Sequence, residues 1–166
     1  MMRSKMSLKD KIIPFEKLAE WRENLRAEGR TLAATNGCFD LLHAGHVTYL
    51  ETARSFGDAL VVGLNGDASV RALKGDGRPI NSERDRAIVL AALESVTAVT
   101  VFPDVRATAF LAEARPDIYV KGGDYTLETL DQDERRSVEA AGGRIELVAF
   151  VPNKSTTNTI KAIGGV

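Results

Sequence analysis

The stretch Thr35-Asn36-Gly37-Cys38-Phe39-Asp40-Leu41-Leu42-His43-Ala44-Gly45-His46 decides how this chain is read. A short apolar strand over 31–35 leads into it. Asn36 and Gly37 turn the chain, and a helix over 45–56 carries Val47, Leu50 and Ala53 on one face. Two histidines three residues apart therefore sit where a strand hands over to a helix. Backbone N–H groups are unpaired there and the helix dipole is positive, so the position favours an anion. Side chains at i and i+3 lie on one side of a helical turn and can address the same group. Ala44 and Gly45 let a bulky phosphate chain approach the backbone.

Upstream, residues 1–11 read as a frayed polar tail. Pro14 opens a helix with an apolar stripe of Leu18, Trp21 and Leu25, and Gly29 ends it. This helix is expected to cover one edge of the sheet, with a dimer contact through Trp21 as the alternative. Downstream, buried strands are expected over 59–64, 98–102, 118–121 and 145–151. Helices are expected over 68–73, from Asn81 or Ser82 to about Glu94, over 108–114 and over 134–141. A last helix, capped by Ser155 or Thr156, runs to Ile163. The helix before Glu94 has Ile88, Val89, Ala92 and Leu93 at helical spacing. Strands alternating with helices imply right-handed crossovers, and apolar runs imply strands buried on both faces. The fold class is α/β: a Rossmann-like, doubly wound, five-stranded parallel sheet with helices on both faces. Ligands in such sheets bind beyond the carboxyl ends of the strands. Four of the five strand ends carry polar, glycine-rich or phosphate-type sequence: Asn36-Gly37, Asn65-Gly66-Asp67, Lys121-Gly122-Gly123-Asp124 and Asn153-Lys154-Ser155-Thr156. That convergence points to a nucleotide site.

Composition narrows the classes. A chain of 166 residues, 44% apolar and 27% charged, has the make-up of one ordinary globular domain. With 22 basic and 23 acidic residues the net charge is −1, so no general nucleic-acid or membrane surface is expected and any anion site is local. The longest apolar run, Ala87 to Leu93, is far short of a membrane span, and no apolar signal segment opens the chain. A single cysteine, Cys38, excludes an internal disulfide and fits a reducing compartment. A cytoplasmic protein is expected.

His-x-Gly-His behind strand–Gly-x-Phe-Asp-x-x-His is the signature of the nucleotidyltransferase superfamily. From about Thr31 to Ile163 the chain resembles the heptose-phosphate adenylyltransferases. The resemblance implies the HIGH-type nucleotidyltransferase fold over 31–166, preceded by a tail and packing helix over 1–30, as a single domain overall. It implies transfer of AMP from ATP to D-glycero-D-manno-heptose 1-phosphate, with Mg2+ entering with ATP, for envelope polysaccharide. A homodimer or higher homo-oligomer is expected. The chain is too short for the sugar-kinase domain of bifunctional relatives, so a separate heptose kinase is expected too.

Residue by residue, His43 and His46 are expected to donate hydrogen bonds to the α-phosphate region, with Lys74 as a further catalytic cation. Developing charge on phosphate oxygens is what such donors stabilise. Ser155-Thr156-Thr157 resembles the second superfamily signature and would hold the β- and γ-phosphates; an ordinary N-cap is the plainer alternative. Relatives acting with CTP carry Arg-Thr-x-Gly before this segment, whereas this chain has Val151-Pro152-Asn153-Lys154. Lys121, Gly122, Gly123 and Asp124 would read the adenine edge, or merely form a tight turn. Asn36, Gly37, Phe39 and Gly45 complete the nucleotide set. Asp40 would orient a histidine, approach the metal-bound phosphates or cap its turn. Lys74, Arg78 and Arg86 would hold the acceptor's phosphate, against a solvated loop and a surface ion pair as alternatives. Cys38 reads as a small apolar filler. No metal ligands are assigned. A cytidylyltransferase acting on glycerol or ethanolamine phosphate, and a nucleotide-binding module without catalysis, are the competing readings.

Overall fold

The computed structural model describes residues 6–149, 152 and 154–164. Five strands, β1 (Leu32–Gly37), β2 (Ala59–Asn65), β3 (Ala98–Phe102), β4 (Ile118–Gly122) and β5 (Arg144–Val148), form one sheet. Every pairing is parallel and the order is β3-β2-β1-β4-β5. The expected doubly wound sheet is thus present, and the order reverses between β1 and β4.

Among the described residues seven α-helices connect and flank the strands: α1 (Leu18–Ala27), α2 (Ala44–Ser55), α3 (Asp67–Lys74), α4 (Glu83–Ala91), α5 (Thr108–Ala114), α6 (Gln132–Ala140) and α7 (Thr156–Ile163). Alternation along each strand sorts the core into two layers. Ala34, Val61, Ala98 and Tyr119 face α1, α5 and α6 through Leu18, Phe110, Leu111 and Val138. Ala33, Leu60, Val62, Val99 and Val120 face α2 and α4 through Leu50, Ala53, Ala87 and Leu90. Gly63 on β2 is required by this packing, because a Cβ there would lie 2.8 Å from the Phe110 ring.

Three expectations change. Residues 8–11 are a turn of 3-10 helix rather than part of a frayed tail. Ser7 and Asp10 cap it reciprocally, and Lys11 Nζ donates to the carbonyls of Leu93 and Val96. Ile12 then bridges Val99, and the Ile13 N–H donates to the Val99 carbonyl at 2.8 Å, so this segment covers the β3 edge. Helix α1 lies over a face beside α5 instead of over the edge, and Trp21 packs partly buried against the core. Helix α4 ends at Ala91, capped at its start by Ser82, and its buried face is Arg86, Ala87, Leu90 and Ala91. Ile88 and Val89 are 38% and 48% exposed. Their spacing was helical, but a buried arginine turns the other side of the helix inward. Strand β5 stops at Val148; residues 150 and 151 of its expected span lie outside the described residues, as does Asn153.

Candidate active site

A cavity of about 700 Å³ opens at the carboxyl ends of the strands, at the β1–β4 reversal. That volume is typical of small-molecule sites. Of the residues singled out from sequence, all but Arg86, Gly123 and Asp124 line it.

The histidines sit where α2 starts. His43 is the N-cap, and its backbone N–H donates to His46 Nδ1 at 3.3 Å. The rings stack with centroids 3.9 Å apart. Phe39, held at φ 45°, packs its ring 5.4 Å from that of His46. Burial, then the neighbouring His43, pushes His46 down to about 4. Burial and Lys154 lower His43 as well. Both rings are therefore neutral near pH 7. Since His46 Nδ1 accepts, its proton resides on Nε2, which makes it a neutral donor. Gly45 is needed here: a Cβ would meet the His43 ring at 2.9 Å and Lys154 Cβ at 3.1 Å.

Helix α7 brings its N-terminus to the same cavity, with Ser155, Thr156 and Thr157 in the wall. Ser155 Oγ accepts the Asn158 N–H as an N-cap, so that hydroxyl is engaged locally. Thr156 Oγ1 donates to the Leu41 carbonyl at 2.9 Å, pinning α7 to the histidine loop.

Asp40 neither contacts a histidine nor projects a free carboxylate. Its oxygens accept from Arg78 Nε at 2.7 Å and from the N–H groups of Ile80 and Asn81 at 2.9 and 3.0 Å. Burial works against its ionisation, but the Asn81 and Ile80 N–H groups and the Arg78 guanidinium outweigh it and hold its pKa below the carboxylate range. Asp40 is the latch between the loop over 75–81 and the histidine loop. Arg86 is a strut and does not line the cavity. Only 2% exposed, it donates to the carbonyls of Cys38, Asn65 and Asn81 and pairs with Asp67 at 2.8 Å. It thereby ties the ends of β1 and β2 together. Gly123 spends its N–H on the Val148 carbonyl. Burial raises the Cys38 thiol, which fits a filler role.

Lys74, Arg78, Arg106, Lys121 and Lys154 all line the cavity. Lys74 and Lys154 form no ion pair among the described residues, whereas both lining carboxylates, Asp40 and Glu134, are paired. The cavity is thus positive on a chain of net charge −1. Among the described residues no three His, Cys, Asp or Glu side chains cluster to hold a metal, and no helix is long and apolar enough to cross a membrane. Sequence reading missed Glu134, Tyr119 and Tyr49. Glu134 lies in the run Asp131-Gln132-Asp133-Glu134-Arg135-Arg136, which looks like a solvated helix face, and only the fold puts its side chain against β4.

A family model described as cytidylyltransferase-like matches residues 34–162. The chain belongs to the cytidylyltransferase-like family. Within it, the chain is 53% identical over 138 residues to the bifunctional protein HldE of Geobacter sulfurreducens, covering 83% of this chain and 28% of that protein. It is 54% identical over 143 residues to the bifunctional protein HldE of Mesorhizobium japonicum, covering 86% and 28%. The chain spans less than a third of the length of these relatives. Among solved structures it resembles the lipopolysaccharide core biosynthesis protein of Thermoplasma volcanium, with a TM-score of 0.60 and 27% identity over 76% of this chain and all of that one. A pantoate-beta-alanine ligase from Francisella tularensis shares the fold alone, with a TM-score of 0.58 and 12% identity over 91% of this chain and 76% of that one.

Proposed function

We propose that this protein is an adenylyltransferase that joins AMP from ATP to D-glycero-D-manno-heptose 1-phosphate, giving ADP-heptose and pyrophosphate for envelope lipopolysaccharide. The observation that carries the reading is the pair of neutral, stacked histidines beside the N-terminus of α7 in one positive cavity. The identity of about half to HldE proteins supports the choice of acceptor.

An oxygen of the sugar phosphate attacks the α-phosphorus and a new P–O bond forms. The bond to the bridging oxygen breaks, and its electron pair leaves with pyrophosphate. The attacking phosphate is already an anion, so no protein base or nucleophile is needed, and catalysis is positioning plus charge stabilisation. His46 Nε2–H and His43 donate to the α-phosphate oxygens as charge develops there. The free N–H groups of α7, with Thr157 and Lys154, hold the β- and γ-phosphates. Bound with the triphosphate, Mg2+ would neutralise part of the charge on its oxygens. Among the described residues no carboxylate cage is present, and Asp40 is already saturated by protein donors. Lys74, the last residue of α3, separates the two substrates' like charges. The protein acts as a homo-oligomer in the cytoplasm, on a sugar phosphate supplied by a sugar kinase activity.

A pyrophosphate-release assay crossing ATP and CTP with heptose 1-phosphate, glycerol 3-phosphate and pantetheine phosphate tests this. ATP with heptose 1-phosphate is the expected best pair. Preference for CTP or for another acceptor would overturn the assignment of substrate.

A further inference from the structure

Glu134 has no part in the transfer as described, yet its carboxylate is buried in the cavity wall. It stands in the first turn of α6, on the face of the sheet opposite α2 and the histidines. Its Oε1 accepts the Ala107 N–H at 3.0 Å. Its Oε2 lies 3.1 Å from the Tyr119 hydroxyl and 3.5 Å from Lys121 Nζ. Lys121 Nζ is also 3.2 Å from that hydroxyl, and the hydroxyl is 2.6 Å from Asn36 Oδ1. A hydroxyl has one proton, and the shortest contact directs it to Asn36. Lys121 then donates to both the tyrosine oxygen and the carboxylate. Two consequences follow. Asn36 has its oxygen turned to Tyr119, which leaves its NH2 group for a ligand. Lys121 is anchored by two of its three N–H directions, with its side chain 19% exposed to the cavity.

Asn36 and Lys121 end the two strands, β1 and β4, between which the order reverses. An in-line displacement needs nucleophile and leaving group on opposite sides of the α-phosphorus. The histidines, at the start of α2, approach from one face of the sheet. The ammonium and the carboxamide occupy the other, with a donor set suited to a phosphate monoester.

We propose that Glu134 is a positioning residue: it holds Lys121, and Lys121 links it to the Tyr119 hydroxyl that holds Asn36, to receive the phosphate of the acceptor, a sugar 1-phosphate. This rests on the nucleotidyl-transfer reading above. It places the incoming phosphate at Lys121 and Asn36, where Arg86 cannot reach.

The test uses Glu134→Gln, which keeps the volume and the bond from Ala107 but removes the charge that holds Lys121. Tyr119→Phe, which cuts the link to Asn36 and one of the two bonds that anchor Lys121, carries the test if the first variant does not fold. Melting temperature and circular dichroism check folding. Initial rates with ATP and heptose 1-phosphate are paired with calorimetric titration of heptose 1-phosphate in the absence of ATP. Losing one placed, charge-assisted hydrogen bond predicts a rise of about tenfold in both KM and Kd for the sugar phosphate. KM for ATP stays within about twofold. If the sugar phosphate binds wild type and variant equally, or if the loss falls on ATP, the proposal is overturned. If wild type binds the sugar phosphate and the variant binds it weakly, but wild type releases no pyrophosphate, the positioning role stands and the transfer reading falls.

Discussion

In the proposed reaction, His46 is the residue on which most of the chemistry turns. Losing one transition-state donor costs on the order of 10²–10³ in kcat. His46→Ala is therefore expected to fall by that factor in steady-state kinetics, with a much smaller change in KM for ATP; near wild-type kcat would remove the histidine from the mechanism. Its depressed pKa also fixes a pH dependence. The folded value is about 4 against an ordinary value of 6.5, so between these pH values the unfolded chain binds more protons than the native one. The stability contribution is present in full above about pH 6.5 and is lost as pH falls towards 4. Urea unfolding at pH 7 and pH 5 is expected to show a larger loss for wild type than for His46→Gln. Parallel losses would mean the ring is not held neutral. The histidines were legible in sequence because their spacing and junction are local features. The roles of Asp40 and Arg86 were not, because they depend on partners 38 to 48 positions away. Arg22 is a parallel case: a charge on α1 that is buried against Asp117 and the Arg115 carbonyl, partners 93 to 95 positions away.

Elements come next, and the histidine loop is held between two of them. Helix α7 is tied to it by Thr156 and the loop over 75–81 is tied to it by Asp40. Thr156→Ala removes a hydrogen bond of about 1 kcal/mol net and loosens α7. Isothermal titration is expected to show ATP weakened more than AMP, because only ATP reaches the α7 N-terminus with its outer phosphates. Equal loss for both nucleotides would make α7 a structural cap. Arg86→Met strips charge-assisted bonds from the Cys38 and Asn65 carbonyls, which lie at the ends of β1 and β2. A loss of about 3 kcal/mol or more in unfolding free energy is expected. Normal stability with a selective rise in sugar-phosphate KM would instead restore Arg86 to the acceptor site. Element type and order were readable from periodicity, and β3 and α5 fall where expected. The inward face of α4 was not readable, since four consecutive apolar residues, Ile88 to Ala91, fit either side. The burial of Arg86 breaks the tie.

At the scale of the whole molecule, the parallel sheet places a positive cavity on a chain that is nearly neutral overall. Composition excluded a broad anionic partner, and the convergence of strand ends located the site. Sequence could not apportion the cavity between two substrates, because the sides are set by which face of the sheet each residue meets. Asn36 and Lys121 belong to one face, and Thr35 with Tyr49 to the other. The central claim is that this chain makes a new diphosphate bond between AMP and a sugar phosphate. Phosphorus-31 NMR of ATP, Mg2+, heptose 1-phosphate and purified protein tests it most directly. The account predicts that one nucleoside diphosphate sugar and one pyrophosphate appear for each ATP consumed, only when the sugar phosphate is present. AMP as the nucleotide product, or ATP left intact beside consumed CTP, would contradict it.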